Sequence, residues 1–456
     1  MKNMKSCPDS EPADGASAPE FNGQAPSTGP CSEMSPPLRR VEQALTHLLN
    51  VAEDVYLALS FALAVIVANL DENADPTWGI IVAPPSSAKT EILMGCATLP
   101  KTFLLSDLTA NTFASGAHTL GGGDASLLPR LTGKTLILKD FTTVLQMQRD
   151  RRGEIVAQLR EIFDGRFNKS WGNGKQFDWE GRMGLLAAVT GVIDTHYAVL
   201  SALGERFLYF RMLVGNSERA AAARKALLRG ESRTEREELQ RAVCDLMTKV
   251  DITNVAKEPT GGLLDVFAAL ADLTARARTP VHRDGYTHEI ISVAGAEGPG
   301  RVAKQLWSLA RGHAAIRGAT AVDHNDLALV RRVAADSIPP VRWMILQCIA
   351  AFPRTGIFLS ELRPNAPSLR NFGKTTRKRC SEELERLGLI KFFQSPFQVN
   401  GATVMADAAI MTPEAQQLWW VAFGGPPDTS EQGSTGYLPN QGTPVTNGAY
   451  QPMAQR

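Results

Sequence analysis

Runs of consecutive apolar residues and stretches with a helical period take turns along the first half of this chain. The short uninterrupted runs at 80–82, 135–138 and 183–189 predict strands buried on both faces, and 101–107 a short strand entering a polar loop. Periods of three to four predict two helices over 37–70, one directly after the first strand, and another at 152–163. Residues 55–70 are apolar on all sides, yet shorter than the ~20 residues a membrane-spanning helix needs. Asp54 and Asp71 bound that stretch, so it is predicted to be a buried helix packed on a sheet.

From residue 216 the pattern is helical only, at 218–247, 261–275, from Gly300 onward, and at 326–335. Strands alternating with helices, then helices alone, predict an α/β core at 37–215 and an all-α lid at 216–338. A helix at 341–352, a short apolar segment, a basic helix at 374–387 and two strand-like runs follow. That is the order of a winged helix, which places a small α+β domain at 339–424. Residues 1–36 and 425–456 are rich in Pro, Ser and Gly and poor in large apolar side chains, so disordered tails are predicted there.

The 456 residues carry a net charge of +1, which excludes a broadly basic nucleic-acid coat and leaves local patches for any such contact. Six cysteines and seven histidines are scattered without CxxC or ligand spacing. No zinc site or disulfide frame is predicted, and a reducing compartment is. The opening MKNMKSCPDSEPADG has no apolar signal segment. The chain therefore reads as cytoplasmic, without a membrane partner.

The chemistry is concentrated at WGIIVAPPSSAKTEILM, residues 78–94. A strand, a loop, Lys-Thr and a helix form the phosphate-cradling P-loop order. Loop and helix N–H groups from Pro84, Pro85, Ser86, Ser87, Ala88, Lys89 and Thr90 are the candidate ATP-binding segment, less the two prolines, which have none. Lys89 would meet the β/γ-phosphates and the Thr90 hydroxyl would ligate Mg²⁺. Ala83 and Ala88 stand where the consensus has glycine. Some fifty residues on, Lys139-Asp140-Phe141 ends an apolar strand, and Asp140 is the candidate metal or water-polarising acid. Thr190 ends the strand at 183–189.

Residues 166–182, RFNKSWGNGKQFDWEGR, alternate around Asn173-Gly174, a strong hairpin signal. Lys175 falls at its tip and Lys169 on one arm; a tip lysine is either a solvated turn residue or a contact to a phosphate backbone. In the basic helix Lys374, Arg377, Lys378 and Arg379 crowd the end that enters a major groove, while Glu382, Glu383 and Glu385 occupy the other half. DNA binding is predicted there.

With these pieces in order, residues from about 52 to 425 resemble the AAA+ ATPases, and within them the minichromosome-maintenance helicase group with its pre-sensor hairpin. Ala88-Lys89-Thr90 is similar to that group's Ala-Lys-Ser, and Lys139-Asp140-Phe141 to its Asp-Glu-Phe. Gly204-Glu205-Arg206-Phe207 is similar to its Ser-Arg-Phe, which implies an arginine finger at Arg206. Arg301 opens a helix where the lid's sensor 2 arginine sits, and Thr190 stands where sensor 1 is usually Asn.

The resemblance implies a three-layer AAA+ core, and a homo-oligomeric, hexameric ring hydrolysing ATP with Mg²⁺ between subunits. It implies a DNA motor, helicase or replication initiator, with hairpins lining a channel. One of the two usual acids is missing in either register of Lys139-Asp140-Phe141, which weakens hydrolysis more than binding. A winged-helix regulator that uses ATP as an oligomerisation switch is the alternative. A chaperone-type remodelling ATPase is a third, although its central loop usually carries aromatic residues where this hairpin has Asn-Gly-Lys.

Overall fold

The computed structural model describes residues 35–49, 53–117, 124–196, 206–213, 216–228, 233–399 and 402–425. The Gly-rich segment 121–123, the pair Gly204-Glu205 and nearly all of both predicted tails lie outside these. The first helix, Pro36–Leu48, starts on a proline, which suits a position whose N–H has no helical partner.

Five parallel strands form the central sheet. They begin with β1 (Trp78–Val82), β2 (Thr102–Leu105) and β3 (Thr135–Leu138). A hairpin of β4 (Arg166–Ser170) and β5 (Gln176–Glu180) follows, before β6 (Gly184–Val189) and β7 (Phe207–Arg211) complete the sheet. Its order is β2-β3-β6-β1-β7. Because β1, β3 and β6 are buried on both faces, the sequence shows solid apolar runs there instead of alternation.

One face carries helix Arg149–Phe163 and the hairpin base in a cluster with Trp78, Ile80, Leu136, Phe141 and Leu185. The other carries helix Glu53–Ala68, apolar all round because it is covered twice. Toward the sheet, a Cβ on Gly79 would sit 2.8 Å from Val65 and 2.9 Å from Phe61. Away from it, Gly312 of helix Gly300–Arg317 lies so close that a Cβ would fall 2.3 Å from the Ala64 carbonyl. A helix buried between two layers needs no polar face, which is why its hydropathy resembles a membrane segment. No described helix is long and apolar enough to cross a membrane.

Helices Asn216–Leu228, Arg233–Met247, Leu263–Ala277, Gly300–Arg317 and His324–Asp336 follow the sheet. Inserted between the third and fourth of these is a small hairpin, β8 (Val281–Arg283) with β9 (Ile290–Val293). The C-terminal region runs helix Pro340–Ala350, β10 (Ile357–Phe358), helix Leu362–Asn365, helix Lys374–Arg386, β11 (Ile390–Val399), β12 (Ala402–Met411) and helix Pro413–Phe423. These helices and the C-terminal region share one apolar core: Leu273 and Ala277 pack in a cluster with Ile345, Leu384 and Met411. Arg342 reinforces the joint, donating to the carbonyls of Ala277 (2.9 Å) and Thr279 (2.7 Å).

Candidate functional site

Parallel strands bring their carboxyl ends to one edge, where ligands of open α/β sheets bind. At this edge β6 lies between β1 and β3, so the P-loop, Thr190 and Asp140 meet although about a hundred residues separate them in sequence. The Ala83 N–H donates to the Val189 carbonyl (3.1 Å), closing the loop's start on the end of β6. Asp140 accepts from the Thr142 N–H at 2.8 Å, and the Thr142 hydroxyl accepts the Thr190 N–H at 3.4 Å. Thr142, which carries no motif signal of its own, is thus the bridge between acid and strand end.

Within the loop, Pro84 and Pro85 contribute no N–H donor. Ser86 and Ala88 take positive φ of 59° and 68°, the left-handed region that glycine occupies without strain. The backbone thus keeps a glycine-type path at Ala88. Among the described residues, the N–H groups of Ser86, Ala88, Lys89 and Thr90 donate to no protein acceptor, and helix Lys89–Cys96 begins behind them. A ring of open donors at a helix start fits an anion. Lys89 meanwhile folds its Nζ onto the carbonyls of Ala83 (2.5 Å) and Pro84 (2.6 Å). Burial lowers its pKa, while the negative charge of Asp140 works in the opposite direction, so the two groups sense one another across the site.

Burial separates Asp140 from its neighbour Phe141. Phe141 is fully buried, against Phe207 at 6.0 Å, while Asp140 is exposed. A residue that points into the core cannot serve the edge, so Asp140 stands there without the second acid of the usual pair. At the same edge β7 ends in Arg211, whose guanidinium grips Asp194 at 2.8 and 3.0 Å. Its N–H donates to Asp336, which Arg332 also holds, at 2.9 Å. Arg332 continues to Asp54 at 3.4 Å. Asp336 is pushed up to about 6 by burial. This chain of charges was missed in the sequence, where a lone arginine closing the apolar run FLYFR was its one sign.

Arg206 and Arg301 are not at this edge. Arg206 precedes Phe207, which pairs with Trp78 at the start of β1, about 13 Å of strand from the P-loop end. It was expected to project toward a neighbour, but it is 5 % exposed and donates to both oxygens of Asp164, at 2.7 and 2.9 Å. Its guanidinium lies 5.3 Å from the Phe163 ring centroid, and Arg301, bonded to Glu297 at 2.7 Å, lies 5.8 Å from the same ring. Burial lowers the pKa of Arg206, and Asp164 opposes that.

The hairpin corrects the picture of a projecting cation. All three protons of the Lys175 ammonium have acceptors: Ser115 O (2.8 Å), Ala117 O (3.1 Å) and Asp124 (3.0 Å). Lys169 bonds Glu154 at 3.0 Å, and both cations flank Trp171 at 5.7 and 5.8 Å. The residues exposed along the two arms are Arg166, Asn168, Ser170, Gln176, Asp178 and Glu180, which is not a basic surface.

The third helix of the C-terminal region divides its cations. Lys374 and Lys378 are exposed, Lys378 only loosely paired with Glu382 at 3.9 Å. Arg377 turns back to the carbonyls of Leu369 and Phe372. The Arg379 carbonyl accepts from Arg283 of the β8–β9 hairpin at 2.8 Å, and Arg283 also binds Glu383 at 2.9 Å. Arg363 and Arg370, just upstream, are exposed too. Among the described residues no group of His, Cys, Asp and Glu is arranged to hold a metal by itself. The chain matches no protein-family profile, and no curated protein matches it.

Proposed function

We propose that this chain is an ATP-dependent DNA motor of the AAA+ type, a helicase or replication-initiation ATPase working as a ring. The observation that carries the reading is the meeting of Lys89, Thr190 and Asp140 at one sheet edge, beside a loop of open N–H donors. The sheet order and a helix–strand–helix–helix–ribbon C-terminal region support the AAA+ and winged-helix assignments.

In this reading the triphosphate displaces the Ala83 and Pro84 carbonyls from Lys89 and fills the N–H cradle. Thr90 and Asp140 would hold Mg²⁺, which supplies charge neutralisation at the β- and γ-phosphates. Water attacks the γ-phosphorus, the bond to the β–γ bridging oxygen breaks, ADP departs with the electron pair, and the proton shed by the water leaves on the released phosphate. Asp140 and the Thr190 hydroxyl orient the attacking water. Arg206 of a neighbour serves as finger only once Asp164 lets it go; the Asp164 side chain is 53 % exposed, so an incoming subunit can compete for it. Because the lid shares its core with the winged helix, any lid rotation carries Lys374 and Lys378 with it.

A second reading, a DNA-binding regulator that uses ATP as a switch, is favoured by Phe141 in the core and by the internal pairing of Arg206. Both weaken hydrolysis and leave binding intact. ATPase rate with and without single-stranded DNA, and strand separation on a forked duplex, decide between them. The motor requires stimulation and unwinding, both lost in Lys89→Ala. Duplex binding that survives Lys89→Ala, with no unwinding by wild type, establishes the regulator.

A further inference from the structure

Helix Asn216–Leu228 has a sequence made for a helix and, among the described residues, few partners to lie against. It reads NSERAAAARKALL, with four successive alanines. Arg219, Ala220, Ala222, Ala223 and Arg224 are exposed, and Leu227 is 87 % exposed. Among the described residues its hold on the rest of the chain is Lys225, which donates to the carbonyls of Thr46 (2.5 Å) and Leu49. A helix of this length is marginal alone in water, and its stability normally comes from packing one face.

A face of matching chemistry lies elsewhere on the molecule. Helices Leu263–Ala277 and Pro413–Phe423 leave between them an open groove of about 750 Å³. Its apolar floor includes Ala269, Leu418 and Val421, and its charged walls are Asp265, Asp272 and Glu414. The one base there, Arg276, is already held by Asp272 at 2.9 Å. At the rim Leu264 is 59 % and Trp420 39 % exposed. The groove is thus apolar with surplus negative charge; the helix is small-residued with three bases against one acid.

We infer that helix Asn216–Leu228 of one copy seats in the groove between Leu263–Ala277 and Pro413–Phe423 of the next copy. Alanine against alanine lets the helix axes approach closely, Leu227 enters beside Leu418 and Val421, and Arg224 faces the acids. Helix and groove are different patches, so the contact is head-to-tail and builds a ring or a filament instead of a closed pair. The inference rests on the oligomeric part of the proposed function and names the surface that part leaves open.

The test places a benzoylphenylalanine photocrosslinker at Ala223, and in a second variant at Ala220, in the full-length chain. Equal amounts of ¹⁴N and ¹⁵N protein are mixed, irradiated and mapped by mass spectrometry. Mixed-isotope crosslinks to 263–277 or 413–423 are expected, with yield falling about tenfold or more on Arg224→Glu and recovering when Glu414→Lys is added. Crosslinks confined to one chain, to other segments, or indifferent to charge reversal overturn it. Repeating the experiment with Lys89→Ala and no nucleotide separates the two ideas. Crosslinks there, without ATPase activity in wild type, leave the interface standing and remove the motor; unwinding without crosslinks does the reverse.

Discussion

Arg206 donates to both oxygens of the Asp164 carboxylate, at 2.7 and 2.9 Å, from a position where only 6 % of its side chain meets solvent. A guanidinium held this way is a structural member of its own chain before it is anything to a neighbour. Asp164 is half exposed, so solvent screens its share of the pair, and Asp164→Asn should lower stability by only about 1 kcal/mol. If copies share sites in a ring, the same substitution loosens Arg206, so DNA-stimulated ATPase activity should be kept or raised, whereas Arg206→Ala should lose it. Mixing wild type with Arg206→Ala should depress activity more steeply than the mutant fraction. A linear fall would mean the sites are not shared.

The strained position in the P-loop gives a second expectation. Ala88 sits at φ 68°, where an L-residue other than glycine is disfavoured by about 1–2 kcal/mol and glycine is not. Part of that gain is offset by glycine's greater freedom in the unfolded chain. Ala88→Gly should raise stability by about 0.5–1 kcal/mol, read as a higher Tm, with nucleotide affinity unchanged or tighter. A lower Tm would show that the left-handed geometry is not what the loop adopts.

What the sequence disclosed follows from what kind of signal it holds. Strand ends announce themselves, because a buried parallel strand is a solid apolar run and a polar residue just beyond it must lie at the sheet edge; Asp140 and Thr190 stand out for that reason, and Lys89 for the strand–loop–Lys-Thr–helix order. Side-chain partners were not. Nothing local tells Lys175 that Asp124, fifty-one residues earlier, will accept its proton, or Arg206 that Asp164 lies beside it. The β8–β9 hairpin escaped notice because its strands are three and four residues long and mostly exposed. The break placed at residue 338 reflected a change of pattern, yet Leu273 and Ala277 pack across it.

Asp336 supplies a pH expectation. Burial pushes its pKa up to about 6 from 3.8, so the native chain holds this proton more tightly than the unfolded chain does. Its contribution to stability is therefore complete below about pH 4 and is lost as the pH rises through 6, a change on the order of 3 kcal/mol. Asp336→Asn cannot titrate and keeps an acceptor for Arg211 and Arg332. The stability of wild type relative to this variant should fall between pH 4 and 6.5 and be flat above. A difference constant from pH 3.5 to 7 would place Asp336 in contact with water.

In the C-terminal region, Lys374 and Lys378 are the exposed cations at the start of helix Lys374–Arg386. Each phosphate contact removed should lower the slope of log affinity against log salt by about 1. Lys374→Ala with Lys378→Ala should thus weaken duplex binding and flatten its salt dependence by about 2. Arg377→Ala should act differently, loosening the turn whose Leu369 and Phe372 carbonyls it satisfies. Unchanged salt dependence in the double variant would move the DNA interface elsewhere.

The last expectation concerns the hairpin tip, where structure and sequence part most sharply. Lys175 has its three donors satisfied by Ser115, Ala117 and Asp124, and only 15 % of its side chain is exposed. Burial pushes the Asp124 carboxyl up, but hydrogen bonds from Ser126 and Lys175 together outweigh it and hold the group below its usual pKa. The pair therefore ties the hairpin to the segment after β2. Lys175→Ala and Asp124→Ala should each cost about 1 kcal/mol, and the double variant clearly less than their sum, because residues in one network are not additive. Single-stranded DNA affinity should move little in Asp124→Ala if Lys175 only braces the loop. If Asp124→Ala instead tightens that affinity several-fold and Lys175→Ala abolishes the gain, the lysine is a DNA contact held in reserve.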